Sequence, residues 1–217
     1  AVGAALGWFG GHAPRYWKSG GPARDAEKTH APLPPAGVVC GGASGAADGR
    51  AWPLHLRGIE AEIALRLARP VNQADAMAIT IADAAELIDA MCVAIEVVDS
   101  RWAQALDAPA LSKLADQQSH GALVLGEWEP YVARDWSQQE CRVRLGTQPP
   151  AGFRGTHSLG DPAQVLAEWL RHATRHGAEL PAGTVVTTGP WSGLGMASAG
   201  DCVIVEFPGI GDAAVQL

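Results

Sequence analysis

Three acidic side chains and one lysine carry the first chemical suggestion in this sequence. In residues 58–67, Ile59, Ala61, Ile63, Leu65 and Leu67 share one parity, the period-two mark of a half-buried strand. Glu60 and Glu62 fall on the other parity beside small Ala64. Two residues advance a strand by about 6.5–7 Å, so both carboxylates leave one face as neighbours. Like charges held that close raise each other's pKa unless something positive stands between them. A hard divalent cation would resolve the conflict, because Mg²⁺ and Ca²⁺ prefer carboxylate oxygen. A solvated strand edge with two harmless acids is the equal alternative at this point.

A second run, Met91-Cys92-Val93-Ala94-Ile95-Glu96-Val97-Val98-Asp99-Ser100-Arg101, reads as a strand buried on both faces, with Glu96 in its middle. A buried carboxylate needs a cation, an arginine or hydrogen-bond donors, or else it shifts its pKa until neutral. Arg101 is one available partner; the other reading makes Glu96 a third oxygen ligand beside Glu60 and Glu62. Three acids on two strands would leave coordination positions for water and substrate. Upstream, Tyr16-Trp17-Lys18-Ser19-Gly20-Gly21 sets one cation in a walled, tightly turned segment. A surface lysine beside a packed Trp17 is the plainer account of it.

The elements that must position these groups follow from local pattern. Residues 1–50 are rich in Gly, Pro and Ala and read as loops and short strands. Within them, residues 30–35 are extended and 41–49 form a mobile small-residue loop. After the Glu60–Glu62 strand the chain turns at 70–75. A short helix over 83–90, with Ala84, Leu87, Ile88 and Met91 as its buried stripe, feeds the Glu96 strand. Residues 111–116 are helix or turn, 121–126 a strand, and 140–145 the first arm of a hairpin to 153–157. The clearest helix spans 162–176, with Asp161 as N-cap, Pro162 at N1 and Gly177 at C′. Strands at 184–189, 201–207 and 210–217 close the chain. Strands outnumber helices without a βαβα rhythm, which predicts an α+β, mainly β fold.

The 217 residues form one expected domain, 1–217, whose loop-rich first fifty residues carry Lys18. Net charge is −7 with no basic cluster, which argues against nucleic acid and anionic membrane as partners. No apolar run reaches the eighteen or so residues of a membrane span. Cys40, Cys92, Cys141 and Cys202 form no C-x-x-C, and Cys92 and Cys202 lie in apolar runs as expected buried thiols. That favours a reducing, cytoplasmic setting. The chain opens on Ala1 rather than Met, and residues 1–11 lack the length and basic flank of a secretory signal.

Taken together, Trp17-Lys18-Ser19-Gly20, Ile59-Glu60-Ala61-Glu62-Ile63-Ala64 and Ala94-Ile95-Glu96-Val97-Val98-Asp99-Ser100-Arg101 resemble the fumarylacetoacetate hydrolase superfamily. Ala115-Asp116, Leu125-Gly126, Leu180-Pro181-Ala182-Gly183, Thr188-Gly189 and Gly200-Asp201 follow in the family's order. The nearest branch by these motifs is that of 2-keto-4-pentenoate hydratase and oxalocrotonate decarboxylase. The resemblance implies a mixed β-sandwich roll holding Mg²⁺ or Mn²⁺ through Glu60, Glu62 and Glu96, with a small 2-oxo acid as ligand. It implies Lys18 as active-site lysine, Thr188 and Gly189 as the substrate-carboxylate position, Asp116 as a supporting acid, and a homo-oligomer. Asp99 and Arg101 would orient the Glu96 strand. Departures lie where the far end of a substrate would be selected: Ala115-Asp116-Gln117 replaces the branch's usual Ala-Asp-Asn, the Pro-rich 31–38 and the 41–49 loop differ, and the N-terminal helical portion is short.

The leading expectation is therefore a lyase adding water to a 2-hydroxy-dienoate. A C–C bond hydrolase of an acylpyruvate is the first alternative, needing a base for water; His30, His55 and His157 are its candidates, although no His-x-x-Glu pairing supports one. Decarboxylation of a 2-oxo-diacid would share the same enolate. A non-catalytic small-acid binder is the remaining class.

Overall fold

The computed structural model describes residues 2–42 and 44–217; Ala1, and Ala43 of the 41–49 loop, lie outside the described residues. The strands are β1 Tyr16–Gly20, β2 Thr29–Leu33, β3 Val38–Cys40, β4 Ala47–Asp48, β5 Gly58–Leu67, β6 Ile88–Val98 and β7 His120–Leu125. They continue with β8 Glu129–Pro130, β9 Glu140–Leu145, β10 Ala151–Arg154, β11 Val185–Thr187, β12 Gly195–Met196, β13 Cys202–Phe207 and β14 Gly211–Gln216. The helices are α1 Val2–Ala5, α2 Gln73–Ala78, α3 Ile81–Ala84, α4 Ala110–Ala115 and α5 Leu166–Thr174.

One mixed sheet runs β2-β1-β11-β5-β6-β7-β3, with β8 and β12 attached to its flanks; a second runs β10-β9-β13-β14-β4. The long antiparallel pair β5–β6 is the centre of the first sheet. Strands β13 and β14 lie across it, so Val203, Val205, Phe207 and Val215 share one core with Ile59, Ile63, Val93 and Ile95. Full burial of each such side chain contributes about 1.5–3 kcal/mol. Gly126 is required where the sheets touch, since a Cβ there would overlap the Asp212 carbonyl. This α+β, mainly β arrangement of curled sheets matches the fold class expected from the strand pattern.

Helix α5 closes the same core. Leu166, Trp169 and Leu170 are fully buried, and the Trp169 ring meets Trp17 edge-on at 6.4 Å. The Asp161 side chain accepts from the Ala163 N–H at 2.8 Å, as an N-cap should. The first turn, Pro162–Val165, is 3-10 rather than α, and Gly177 ends the element at φ 75°.

Four expectations fail locally. Residues 83–90 are not one helix: α3 and a 3-10 turn at Ala85–Leu87 end first, and Ile88 and Met91 belong to β6. Helical spacing and strand parity both fit so short an apolar stretch, and pairing with β5 decides the outcome. The chain after Pro70 turns into helix α2, capped by the Asn72 side chain. Strand β5 is buried on both faces rather than one, because Ala64 packs into a second apolar cluster with Leu33, Cys92, Ala94, Leu123, Leu125 and Val185. Cys202, expected inside, is only half-buried. Among the described residues no helix is long and apolar enough to cross a membrane.

Candidate metal centre and active site

Glu60 and Glu96 are direct cross-strand partners on β5 and β6, and Glu62 sits opposite Ala94. Like charges placed opposite each other destabilise a sheet, so pairing alone gives no reason for them. They share a face with Ala64 and Ala94, whose small side chains leave room around the carboxylates. One carboxylate oxygen from each of Glu60, Glu62 and Glu96 lies within 4.8 Å of the others. Glu62 and Glu96 are 2% and 1% exposed, while Glu60 is half-buried at the wall of a cavity.

Lys18 reaches this cluster from β1 by way of β11, since Lys18 pairs with Thr187 and Thr187 with Ala64. Its ammonium contacts Glu96 Oε1 and donates to the Gln118 carbonyl at 3.1 Å. Glu96 Oε2 is buried with no hydrogen-bond partner. Arg101, the alternative partner for Glu96, is instead committed to Asp116 through its side chain and, at 3.1 Å, its backbone N–H. Chain distance misled here, because β6 carries Arg101 away from Glu96 while the sheet brings in Lys18.

The charges are unbalanced. Burial, then repulsion from Glu96, lifts the Glu60 carboxyl to about 7 against the pull of Lys18. Burial and the charges of Glu96 and Glu60 lift Glu62 to about 8, opposed by Lys18 and the Gly189 N–H. Burial pushes Glu96 up as well, but Lys18 and His120 more than offset it and hold this carboxyl below the usual range. Burial would lower Lys18, yet the Glu96, Glu62 and Glu60 carboxylates prevail and keep it above the ordinary lysine value. A hard all-oxygen donor set with an orphaned buried carboxylate oxygen fits a divalent cation.

The remaining predicted residues are distributed around this centre. Gly189 adopts φ 103°, a conformation open to glycine, and its N–H donates to Glu62 Oε2 at 2.9 Å. Thr188 is fully buried and its hydroxyl donates to the Ile63 carbonyl at 2.8 Å. Asp116 faces Arg101 rather than the three glutamates, and Arg101 also donates to the carbonyls of His120 and Asp116 at 2.8 and 2.9 Å. Asp99 Oδ1 accepts from the His55 and Leu56 N–H groups at 3.0 and 2.9 Å. His157 Nε2 lies 2.8 Å from the Thr188 carbonyl, and burial takes its pKa down to about 4. His30 pairs with Ser19 at 2.8 Å on the other face of the sheet from Lys18.

Three groups at the site escaped the sequence reading. His120 Nδ1 stands 3.6 Å from Glu96 Oε1, next to the register shift between Val97 and Val98. Thr187 Oγ1 is buried without a partner beside Lys18. Gln117, Gln118 and Ser119 all adopt positive φ (51°, 57° and 62°), and this turn aims the Gln118 carbonyl at Lys18. Asp116-Gln117-Gln118-Ser119, a polar run between a helix and a strand, was the available signal for a strained connection.

Residues 9–217 match the family model described as fumarylacetoacetate (FAA) hydrolase C-terminal. The chain belongs to the fumarylacetoacetate hydrolase family. Within this family it is 32% identical over 158 residues to a 2-keto-4-pentenoate hydratase of Burkholderia vietnamiensis, and equally so to one of Paraburkholderia phymatum. Each alignment covers 70% of this chain and 57% of the relative, so the chain spans a little over half the length of the curated relatives it matches. The fold is that of the 4-oxalocrotonate decarboxylase from Pseudomonas putida G7, complexed with magnesium and adipate. That superposition has a TM-score of 0.80 at 21% identity, covering 98% of this chain and 81% of the other. The fumarylpyruvate hydrolase from Pseudomonas aeruginosa, in complex with Mn²⁺ and pyruvate, gives 0.67 at 14% identity over 93% and 88%.

Proposed function

We propose that this family member is a divalent-metal-dependent lyase on a small 2-oxo acid, adding water to a 2-hydroxy-dienoic acid as a 2-keto-4-pentenoate hydratase does. The observation that carries the reading is the convergence of Glu60, Glu62 and Glu96 within 4.8 Å beside Lys18. Relatives named as hydratases, and fold neighbours holding magnesium with adipate or Mn²⁺ with pyruvate, support it. Glu60, Glu62 and Glu96 would hold Mg²⁺ or Mn²⁺, which when bound supplies Lewis-acid polarisation of a 2-oxo group.

The chain's own groups do the rest. Lys18 holds a proton at Nζ and is aimed by Glu96 and the Gln118 carbonyl, so it is the group to deliver or retrieve the proton at the carbon next to the 2-oxo group. The Thr188–Gly189 turn orients Glu62 and is assigned the substrate-carboxylate end. Asp116, through Arg101, is a positioning residue that fixes the 116–119 turn. Val98, Leu106 and Leu194 line the adjoining cavity of about 350 Å³ and exclude water from a carbon chain. A cytoplasmic homo-oligomer without nucleic-acid or membrane partners completes the proposal.

C–C bond hydrolysis is the second reading, favoured by His120 beside Glu96. Mass spectrometry of products from a panel of 2-oxo acids with Mg²⁺ or Mn²⁺ decides. A gain of one water supports the hydratase. Cleaved chains or lost carbon dioxide transfer the site to a hydrolase or decarboxylase, and no turnover leaves a small-acid binder.

A further inference from the structure

Residues 156–158, between β10 and the 3-10 turn that leads into α5, cap three loops in succession. The Thr156 hydroxyl donates to the Trp191 carbonyl, His157 Nε2 lies 2.8 Å from the Thr188 carbonyl, and the Ser158 hydroxyl donates to the Gly21 carbonyl at 2.9 Å. A carbonyl oxygen only accepts, so His157 carries its proton on Nε2. Its other nitrogen, Nδ1, is buried without a partner, and the ring packs on Trp191 with centroids 5.4 Å apart. One nitrogen is committed and the other is sealed from solvent. That is a poor arrangement for activating water and a firm one for holding a peptide.

The carbonyl that His157 holds belongs to the same peptide unit as the Gly189 N–H, which donates to Glu62 Oε2 at 2.9 Å. That is the one hydrogen bond the Glu62 side chain makes among the described residues. The flanks of this loop are tied to β5: the Thr188 hydroxyl donates to the Ile63 carbonyl and the Trp191 N–H to the Ala61 carbonyl, each at 2.8 Å. Between those ties the 188–189 peptide is free to turn over, because Gly189, now at φ 103°, accepts φ of either sign. Turned over, it would present its carbonyl oxygen to a carboxylate, and Glu62 would lose its donor. The His157 N–H opposes that rotation by gripping the carbonyl end, and a peptide bonded at both ends is also the stronger donor. We infer that His157 is the positioning residue for Glu62, acting through the Thr188–Gly189 peptide. Its consequence for a bound cation rests on the metal-centred reading above; its hold on the peptide does not.

The test compares His157→Leu, which keeps bulk but loses the donor, with His157→Gln, whose amide N–H takes the place of Nε2–H. Thr156→Val is the control, since it removes the neighbouring tie to Trp191 and leaves the 188–189 peptide alone. The readouts on the full chain are hydrogen exchange of the Gly189 amide without metal, and Mn²⁺ affinity by calorimetry. His157→Leu should speed Gly189 exchange about tenfold or more and weaken Mn²⁺ binding about 10–100-fold, the range for groups that orient a metal ligand. His157→Gln should restore both to within a few-fold, and Thr156→Val should move neither. His157→Asn, whose shorter amide falls short of the carbonyl, gives the same reading as Leu should the Leu variant not fold. Unchanged Gly189 exchange or Mn²⁺ affinity in His157→Leu, no rescue by Gln, or an equal loss in Thr156→Val would make His157 a packing residue only. If the unaltered chain binds no Mn²⁺, the metal-centred reading falls, and Gly189 exchange alone decides the role of His157.

Discussion

A single carboxylate on one sheet and a trio on the other meet opposite fates. On the outer face of β9, Glu140 accepts from Arg142 at 3.1 Å and from Arg154, with all three side chains partly or well exposed to water. It has more cationic partners than it needs and leaves no oxygen stranded. On the face of β5 and β6 turned away from the second sheet, three glutamates share one ammonium, and Glu96 Oε2 has no partner. The first acid is finished by the fold and contributes only about 0.2–1 kcal/mol. The second set is left in deficit by the fold, and that deficit is what a bound cation would fill.

The contrast breaks most decisively at the three glutamates proposed as metal ligands. Glu60→Gln should lower Mn²⁺ affinity at least about 100-fold while the far-ultraviolet circular dichroism stays native, because one ligand charge is lost without loss of shape. Unchanged affinity by calorimetry would remove the metal claim. Lys18→Ala should depress turnover by about 10²–10⁴-fold yet leave metal affinity within a few-fold. Full activity would return Lys18 to a packing role.

Stability against pH sharpens the same comparison with a smaller effect. His30 and His157 have folded values near 4, below their unfolded range, so they make stability rise with pH up to about 6.5. Glu60 and Glu62 have folded values raised to about 7 and about 8. Their folded forms hold the extra protons, so stability present at low pH is lost as pH rises toward 8. With chelator, thermal melts should fall by a few degrees or so between pH 6.5 and 8.5. Mg²⁺ should flatten that fall, since it binds the ionised acids. An equal decline with and without Mg²⁺ would contradict the cluster's role. Smallest of all, Glu140→Gln should shift stability by no more than about 1 kcal/mol in urea unfolding.

Much of this is legible in the chain itself. Strict alternation placed β5, the Glu in an apolar run marked β6, and Asp161 and Gly177 bounded the element that ends in α5. What the chain hid was everything carried across strands. Lys18 lies 78 positions from Glu96 and meets it only because β11 stands between β1 and β5. A register shift next to His120 has no local signature. The second apolar cluster, which buries the acid-bearing face, draws Leu33, Leu123 and Val185 from three distant segments.

The three left-handed residues at 117–119 set the terms on which this protein could be improved. Each non-glycine residue so held costs of order 1–3 kcal/mol, and the turn they make presents a carbonyl to the Lys18 ammonium. Selection for heat resistance would relax this corner first, because glycine there is less strained. The same relaxation would loosen the aim of the one lysine among the acids, so hardier descendants of this chain should be slower ones.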